Sequence, residues 1–290
     1  MTTYDTPEPI AISIEIVGDA RVTASDRSDT TVVVRPRNGA NSADVKAAEE
    51  TVVEFSDGRL RVRIPKHWTR FTPFGGGESV DVTIEAPTGS RVEAHTDLGH
   101  LYGEGELGAS RFKSAMGNIR LDHTGHLHAS TGFGDVAVDR VQGDAEIRSG
   151  SGDIRVGVVD GSVVVKNANG LTTVDESAGD LRVKNANGDI LVGSAHASVT
   201  TRTANGDIRI GDVRHGTVVM ETAAGELEVG VHEGTAAWLD VSSRFGTVRN
   251  ALDAAQGPAP TDDTVEIRAR TSAGDIVITR ALDLREGSGR

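Results

Sequence analysis

The chain contains no cysteine, which removes disulfides and thiol chemistry without fixing a compartment. Aromatic residues are only 3% of the composition, too few for a bulky core. Nowhere do 18 apolar residues run together, so no segment reads as a membrane-spanning helix. The N-terminus, Met1-Thr-Thr-Tyr-Asp-Thr-Pro-Glu-Pro, lacks a basic start and an apolar core of signal-peptide length, and a cytoplasmic protein with no membrane insertion is expected. Positive charge is in deficit: 30 Lys and Arg face 43 Asp and Glu, a net charge of −13. That balance argues against nucleic acid, whose phosphates would be repelled, and favours basic or neutral partners. Also absent are a nucleophile elbow, a His-Glu-x-x-His pair and a phosphate loop with its lysine. No enzyme activity and no cofactor are expected.

What the chain has instead is glycine, 35 residues of it, at regular intervals. Gly134, Gly152, Gly170, Gly188 and Gly206 are each 18 apart, and Gly125, Gly143, Gly161 and Gly179 lie nine residues out of phase. After each glycine comes a short alternation of apolar and polar residues, the pattern of a half-buried strand. Ala145 and Ile147, Val163 and Val165, Leu181 and Val183, Val199 and Thr201 form one inward set. Ile154 and Val156, Ile190 and Val192, Ile208 and Ile210 form the other, with Thr172 replacing the aliphatic residue in the unit at Gly170.

Strands this short cannot bury a face alone, and a fixed period of this size marks stacked coils. The fold class expected is all-β, a parallel β-solenoid of 18-residue two-strand coils with an N-terminal β-rich cap. Stacking like on like sets Asn167 over Asn185 and Asn169 over Asn187 and Asn205 as side-chain amide ladders. Asn-Gly between alternating runs is also a hairpin signal, so an antiparallel meander or sandwich is the alternative. The constant register favours the solenoid.

Three regions are expected: an entry domain or cap over 1–79, a repeat array over 80–280 with an inserted loop at 251–263, and a disordered tail over 281–290. In the cap, Ile10, Ile12, Ile14 and Ile16 define a strand with Arg21–Ala24 as its neighbour, Ser42 caps a helix from Ala43 to about Glu50, and strands at Thr51–Phe55 and Arg59–Ile64 meet at Asp57-Gly58. Val265–Arg270 and Asp275–Thr279 read as the last coil. Between cap and array, Lys66-His-Trp68-Thr-Arg70-Phe71-Thr-Pro-Phe74 gathers three of the ten aromatic residues. Trp68, Phe71 and Phe74 either plug an open end or, with Lys66 and Arg70, form a contact loop, the candidate interaction site.

Other constellations carry less. Gly103-x-Gly105-x-x-Gly108 matches a dinucleotide fingerprint in letters but is followed by strand, not helix. His126 and His128 in register with Asp144 and Glu146 could offer metal ligands, although solvated imidazole–carboxylate pairs are the ordinary explanation. Asp153, Asp189 and Asp207 share a column, yet without the paired glycines whose carbonyls complete a calcium-binding arc. Arg148, Lys166, Lys184 and Arg202 form an outward ladder of like charge, either offset by adjacent carboxylates or a stripe for an anionic polymer.

The phrase Val-Lys-Asn-Ala-Asn-Gly-Asp-Ile, the segment 75–92 and the terminal Arg-Thr-Ser-Ala-Gly-Asp-Ile resemble the bacterial DUF4097 family of β-strand-repeat proteins, the toastrack or candidate-adhesin domains, most closely its actinobacterial members. The resemblance covers nearly the whole chain. It implies a repetitive β-solenoid with no assigned catalytic residues, relatives fused to membrane segments in envelope-stress systems, and surface display from the adhesin label. The expected function is a non-enzymatic scaffold or protein-interaction module, partner unknown, open to self-association through faces or edges. The alternatives are an adhesin-like surface or envelope-stress module and a metal- or polysaccharide-binding protein.

Overall fold

The computed structural model describes residues 1–65, 78–252 and 263–281, in two compact units: 1–143 with 147–150, and 144–146 with 151 onward. The candidate contact residues Lys66, Trp68, Arg70, Phe71 and Phe74 lie outside the described residues, as do most of the expected inserted loop and the tail.

The first unit contains β1 (Thr2–Asp5), β2 (Ala11–Ile16), β3 (Ala20–Ser25), β4 (Asp29–Pro36), α1 (Ser42–Glu50), β5 (Val52–Ser56), β6 (Arg59–Arg63), β7 (Val80–Pro87), β8 (Arg91–Leu98), β9 (Leu101–Leu107), β10 (Ser110–Met116), β11 (Ile119–Thr124), β12 (Leu127–Phe133) and β13 (Val136–Val141). From β7 onward, successive strands alternate between two sheets. One sheet has the order β1-β4-β7-β3-β9-β11-β13, the other β5-β6-β2-β8-β10-β12. Pairing is parallel except at β1–β4, β4–β7 and β5–β6.

The Arg21–Ala24 strand is not the neighbour of Ile10–Ile16, as the sequence led us to expect. β2 pairs with β6 and β8 while β3 joins the opposite sheet between β7 and β9. The corner at Gly18, with φ +127°, turns the chain from one sheet to the other instead of folding it into a hairpin. A true hairpin forms at Asp57-Gly58, where both residues have positive φ (50° and 68°), the geometry a tight antiparallel connection needs. Helix α1 is capped one residue earlier than expected: the Asn41 side chain accepts the Ala43 N–H at 3.0 Å.

The second unit contains β15 (Ile154–Val159), β16 (Val163–Asn169), β17 (Thr172–Ser177), β18 (Leu181–Asn187), β19 (Ile190–Ala195), β20 (Val199–Arg202), β21 (Ile208–Val213), β22 (Gly216–Ala224), β23 (Leu227–Val231), β24 (Ala236–Phe245), β25 (Val248–Asn250), β26 (Thr264–Ala273) and β27 (Ile276–Arg280), while β14 (Ala145–Ser151) is divided between the units. One sheet runs β15-β17-β19-β21-β23-β27-β25 and the other β16-β18-β20-β22-β26-β24. Every pair is parallel. This is a parallel β-solenoid, and it overturns the meander alternative for the repeats. Register holds at 18 residues, as in Leu181↔Val199 and Ile190↔Ile208.

The coil 264–280 is not at the end of the stack. β26 lies between β22 and β24, and β27 between β23 and β25, so the outermost coil is 236–250. The first unit mirrors this, with β2 and β3 held between strands that come later in the chain.

The inward positions form a thin aliphatic core. Ile147, Val156, Val163, Val183, Ile190 and Ile208 are at most 1% exposed, and Thr172 is fully buried; Thr172 donates to Asn185 Oδ1 at 3.1 Å, which satisfies its hydroxyl.

Candidate interaction surface

Three features recur at the corners that carry the Gly152, Gly188 and Gly206 column. First, the column glycines take positive φ, for example Gly188 at 124° and Gly206 at 143°, and a Cβ on Gly188 would fall 2.2 Å from the Gly170 carbonyl oxygen. Second, a buried hydroxyl or amide donates to the glycine carbonyl of the preceding coil. Asn167 reaches Gly152 O at 3.0 Å, Thr222 reaches Gly206 O at 3.1 Å, and in the first unit Thr131 reaches Gly117 O at 2.9 Å. Third, the residue after the glycine accepts a backbone N–H from the next coil. Asp153 accepts from Leu171 at 2.9 Å, Asp189 from Asp207 at 2.9 Å and Asp207 from Glu226 at 2.8 Å.

The aspartate column that resembles a calcium site is thus engaged in capping backbone amides. The two asparagine columns differ in the same way. Asn169, Asn187 and Asn205 form the expected ladder, with amide bonds of 3.0 and 2.9 Å, whereas Asn167 and Asn185 turn inward to the glycine carbonyls. Among the described residues no group of three or more His, Cys, Asp and Glu could hold a metal ion. His126 and His128 belong to the first unit, Asp144 and Glu146 to the second, and Asp144 accepts the Ser162 N–H at 2.9 Å.

The outward charge ladder is present: Lys166, Lys184 and Arg202 are direct partners across β16, β18 and β20. Its members differ in environment. Arg202 pairs with Glu221 at 3.2 Å, and Arg155, Arg209, Arg249, Arg268 and Arg270 of this unit also have carboxylate partners within 3.5 Å. Lys166 and Lys184 are exposed and form no ion pair with any described residue, nor does Arg182, two positions before Lys184 on the same face. Val164, Ala168, Ala186 and Thr200 stand among these three cations, and the cation Arg202 lies directly across from Lys184. The result is a flat patch of concentrated positive charge on an acidic protein.

A second exposed region lies at the outermost coil. Trp238 is 58% exposed, Phe245 72% and Val248 41%. Beside them a shallow polar cleft of about 530 Å³ is lined by Glu221, Asp240, Ser242, Arg244 and Arg270, with threonine and serine hydroxyls at its rim. The sequence reading missed Arg182, Trp238 and Phe245. Arg182 shares the parity of Lys184, a usable signal; the exposure of the other two depends on coil order, which no periodicity records.

The repeated coil with capped corners defines a class: a parallel β-solenoid whose recurring geometry serves stacking. The match is to the Toastrack DUF4097 family model over residues 10–279, and the chain belongs to that family. No curated protein matches it. Among solved structures, a candidate adhesin from Bacteroides fragilis is 15% identical with a TM-score of 0.35, covering 96% of this chain and 95% of the other. A candidate adhesin from Parabacteroides merdae is 12% identical (TM-score 0.38, 94% of each chain), and a candidate lipid-binding protein from Parabacteroides distasonis is 11% identical (TM-score 0.34, 97% and 96%). At such identities and scores the names of those proteins say nothing about this one. No helix among the described residues is long and apolar enough to cross a membrane.

Proposed function

We propose that this protein is a non-enzymatic scaffold that binds an acidic protein surface through the outer face of β16 and β18. One observation carries the reading: Lys166, Arg182 and Lys184 are clustered and have no ion pair among the described residues, while six other arginines of the same unit have carboxylate partners. Stacked like charges weaken a sheet, so such a cluster is a cost that an anionic partner relieves. The overall negative charge favours basic partners at long range; the patch selects locally.

The test is affinity capture from native lysate with the intact protein and with K166E/R182E/K184E. The expected outcome is a salt-sensitive partner retained by the first and lost by the second; identical captured sets would overturn the proposal. The aromatic segment at 68–74 is a second proposed contact, from its concentration of rings, and Trp68→Ala with Phe71→Ala in the same assay reads it separately. We place the protein in the cytoplasm; cell fractionation that finds it at the surface would favour an adhesin-like module instead.

A further inference from the structure

The two units end differently. In the first, the outermost strands are β1 and β5, of four and five residues, antiparallel to their neighbours, and α1 packs against β4 and β7. Short, reversed strands and a covering helix are common ways to blunt a sheet edge. In the second unit the outermost strand of one sheet is β24, ten residues long, parallel to β26 and free of proline.

Among the described residues nothing pairs with the outer edge of β24. Ala236 donates its N–H to Asp263 O at 2.9 Å, and alternate residues of a parallel ladder face opposite ways, so Ala237, Leu239, Val241 and Ser243 direct N–H and C=O outward. Their side chains leave the core incompletely covered. Leu239 and Val241 are half-buried, while Ile267 and Ala269, their partners on β26, are fully buried.

We infer that this edge pairs antiparallel with the same edge of a second copy of the chain, forming a two-fold dimer that continues the sheet. The charges on β24 select the register. Asp240, Ser242 and Arg244 line one face of the strand. Only residues with outward backbone groups can exchange hydrogen bonds, so odd positions must oppose odd positions. A register centred on Asp240 sets this carboxylate against itself. Centred on Ser242, it pairs Val241 with Ser243 of the second copy and sets Asp240 opposite Arg244 of the second copy, twice by symmetry. Those are the non-hydrogen-bonded positions, where side chains come closest. Arg244 has no ion pair with any described residue of its own chain and is exposed, whereas Asp240 already lies 3.2 Å from Arg270; the dimer joins Arg244 to that pair. Edge pairing also brings the exposed Trp238, Phe245 and Val248 to the junction. None of these residues belongs to the cationic patch, so the two proposals stand or fall separately.

Sedimentation velocity of the full chain over a concentration series tests this. A concentration-dependent dimer is expected. Arg244→Asp should weaken it about tenfold or more, since each symmetric pair changes from attraction to repulsion, and D240R/R244D should restore it. Val241→Pro removes an outward N–H that β26 does not use and should abolish the dimer; if that variant unfolds, the charge series decides. A monomer at every concentration would overturn the inference, as would a dimer indifferent to Arg244→Asp. So would a monomer whose Val241 and Ser243 amides are protected from hydrogen exchange, because another segment of the same chain would then occupy the edge.

Discussion

At the level of single residues, Asp81 carries a cost to stability. Its Oδ1 is buried with no hydrogen-bond partner among the described residues, and burial, aided by the nearby Asp19 and opposed by Arg37, pushes its carboxyl above the ordinary value. A carboxyl whose folded value is raised destabilises when ionised, so the cost is present at neutral pH and is relieved as pH falls into the window between the unfolded and folded values. Asp81→Asn should therefore raise the urea midpoint at neutral pH, with the gain fading near about pH 4. Glu85 behaves oppositely. Its hydrogen bonds from Arg27 and Thr31 hold it below the usual range, and that contribution is lost as pH falls through its folded value. Neither role was legible in the sequence, because the partners are tens of positions away in the chain.

At the level of the coil, much was legible. The 18-residue glycine spacing gave the register, and alternation gave the inward residues, since a period of two cannot slip by one without exposing the core. What the glycines do was not visible. The expected role was to open each strand, whereas the structure stacks them so closely that carbonyl oxygens occupy the space of a side chain. Gly188→Ala, with φ +124° and Gly170 O in the path of its Cβ, should destabilise by about 2 kcal/mol or more, measurable by denaturant titration. The capping role of Asp153 and Asp189 was hidden because their amide partners lie one coil away; a sequence shows the acceptor, and only stacking supplies the donor. Arg21–Ala24 was misplaced for a related reason: a corner and a hairpin turn can use the same residues.

For the molecule as a whole, coil order escaped the sequence entirely, since any ordering satisfies the same periodic pattern. β26 and β27 lie inside the stack, so a chain ending at residue 263 should lose two coils, because β24 and β25 would have no strand to rest on. Hydrogen exchange of that truncation should show amides of 236–250 as unprotected while those of β18 and β19 remain protected; protection of both would mean that the outer coil can dock on β22 and β23 directly.

The same arrangement bears on how the protein is made. As synthesis proceeds from the N-terminus, β24 and β25 emerge before the strands they lean on, and they must wait, unsupported, until β26 and β27 arrive and slide into the gap. β26 and β27 therefore act as a keystone, and this end of the stack can assemble only after they have been made.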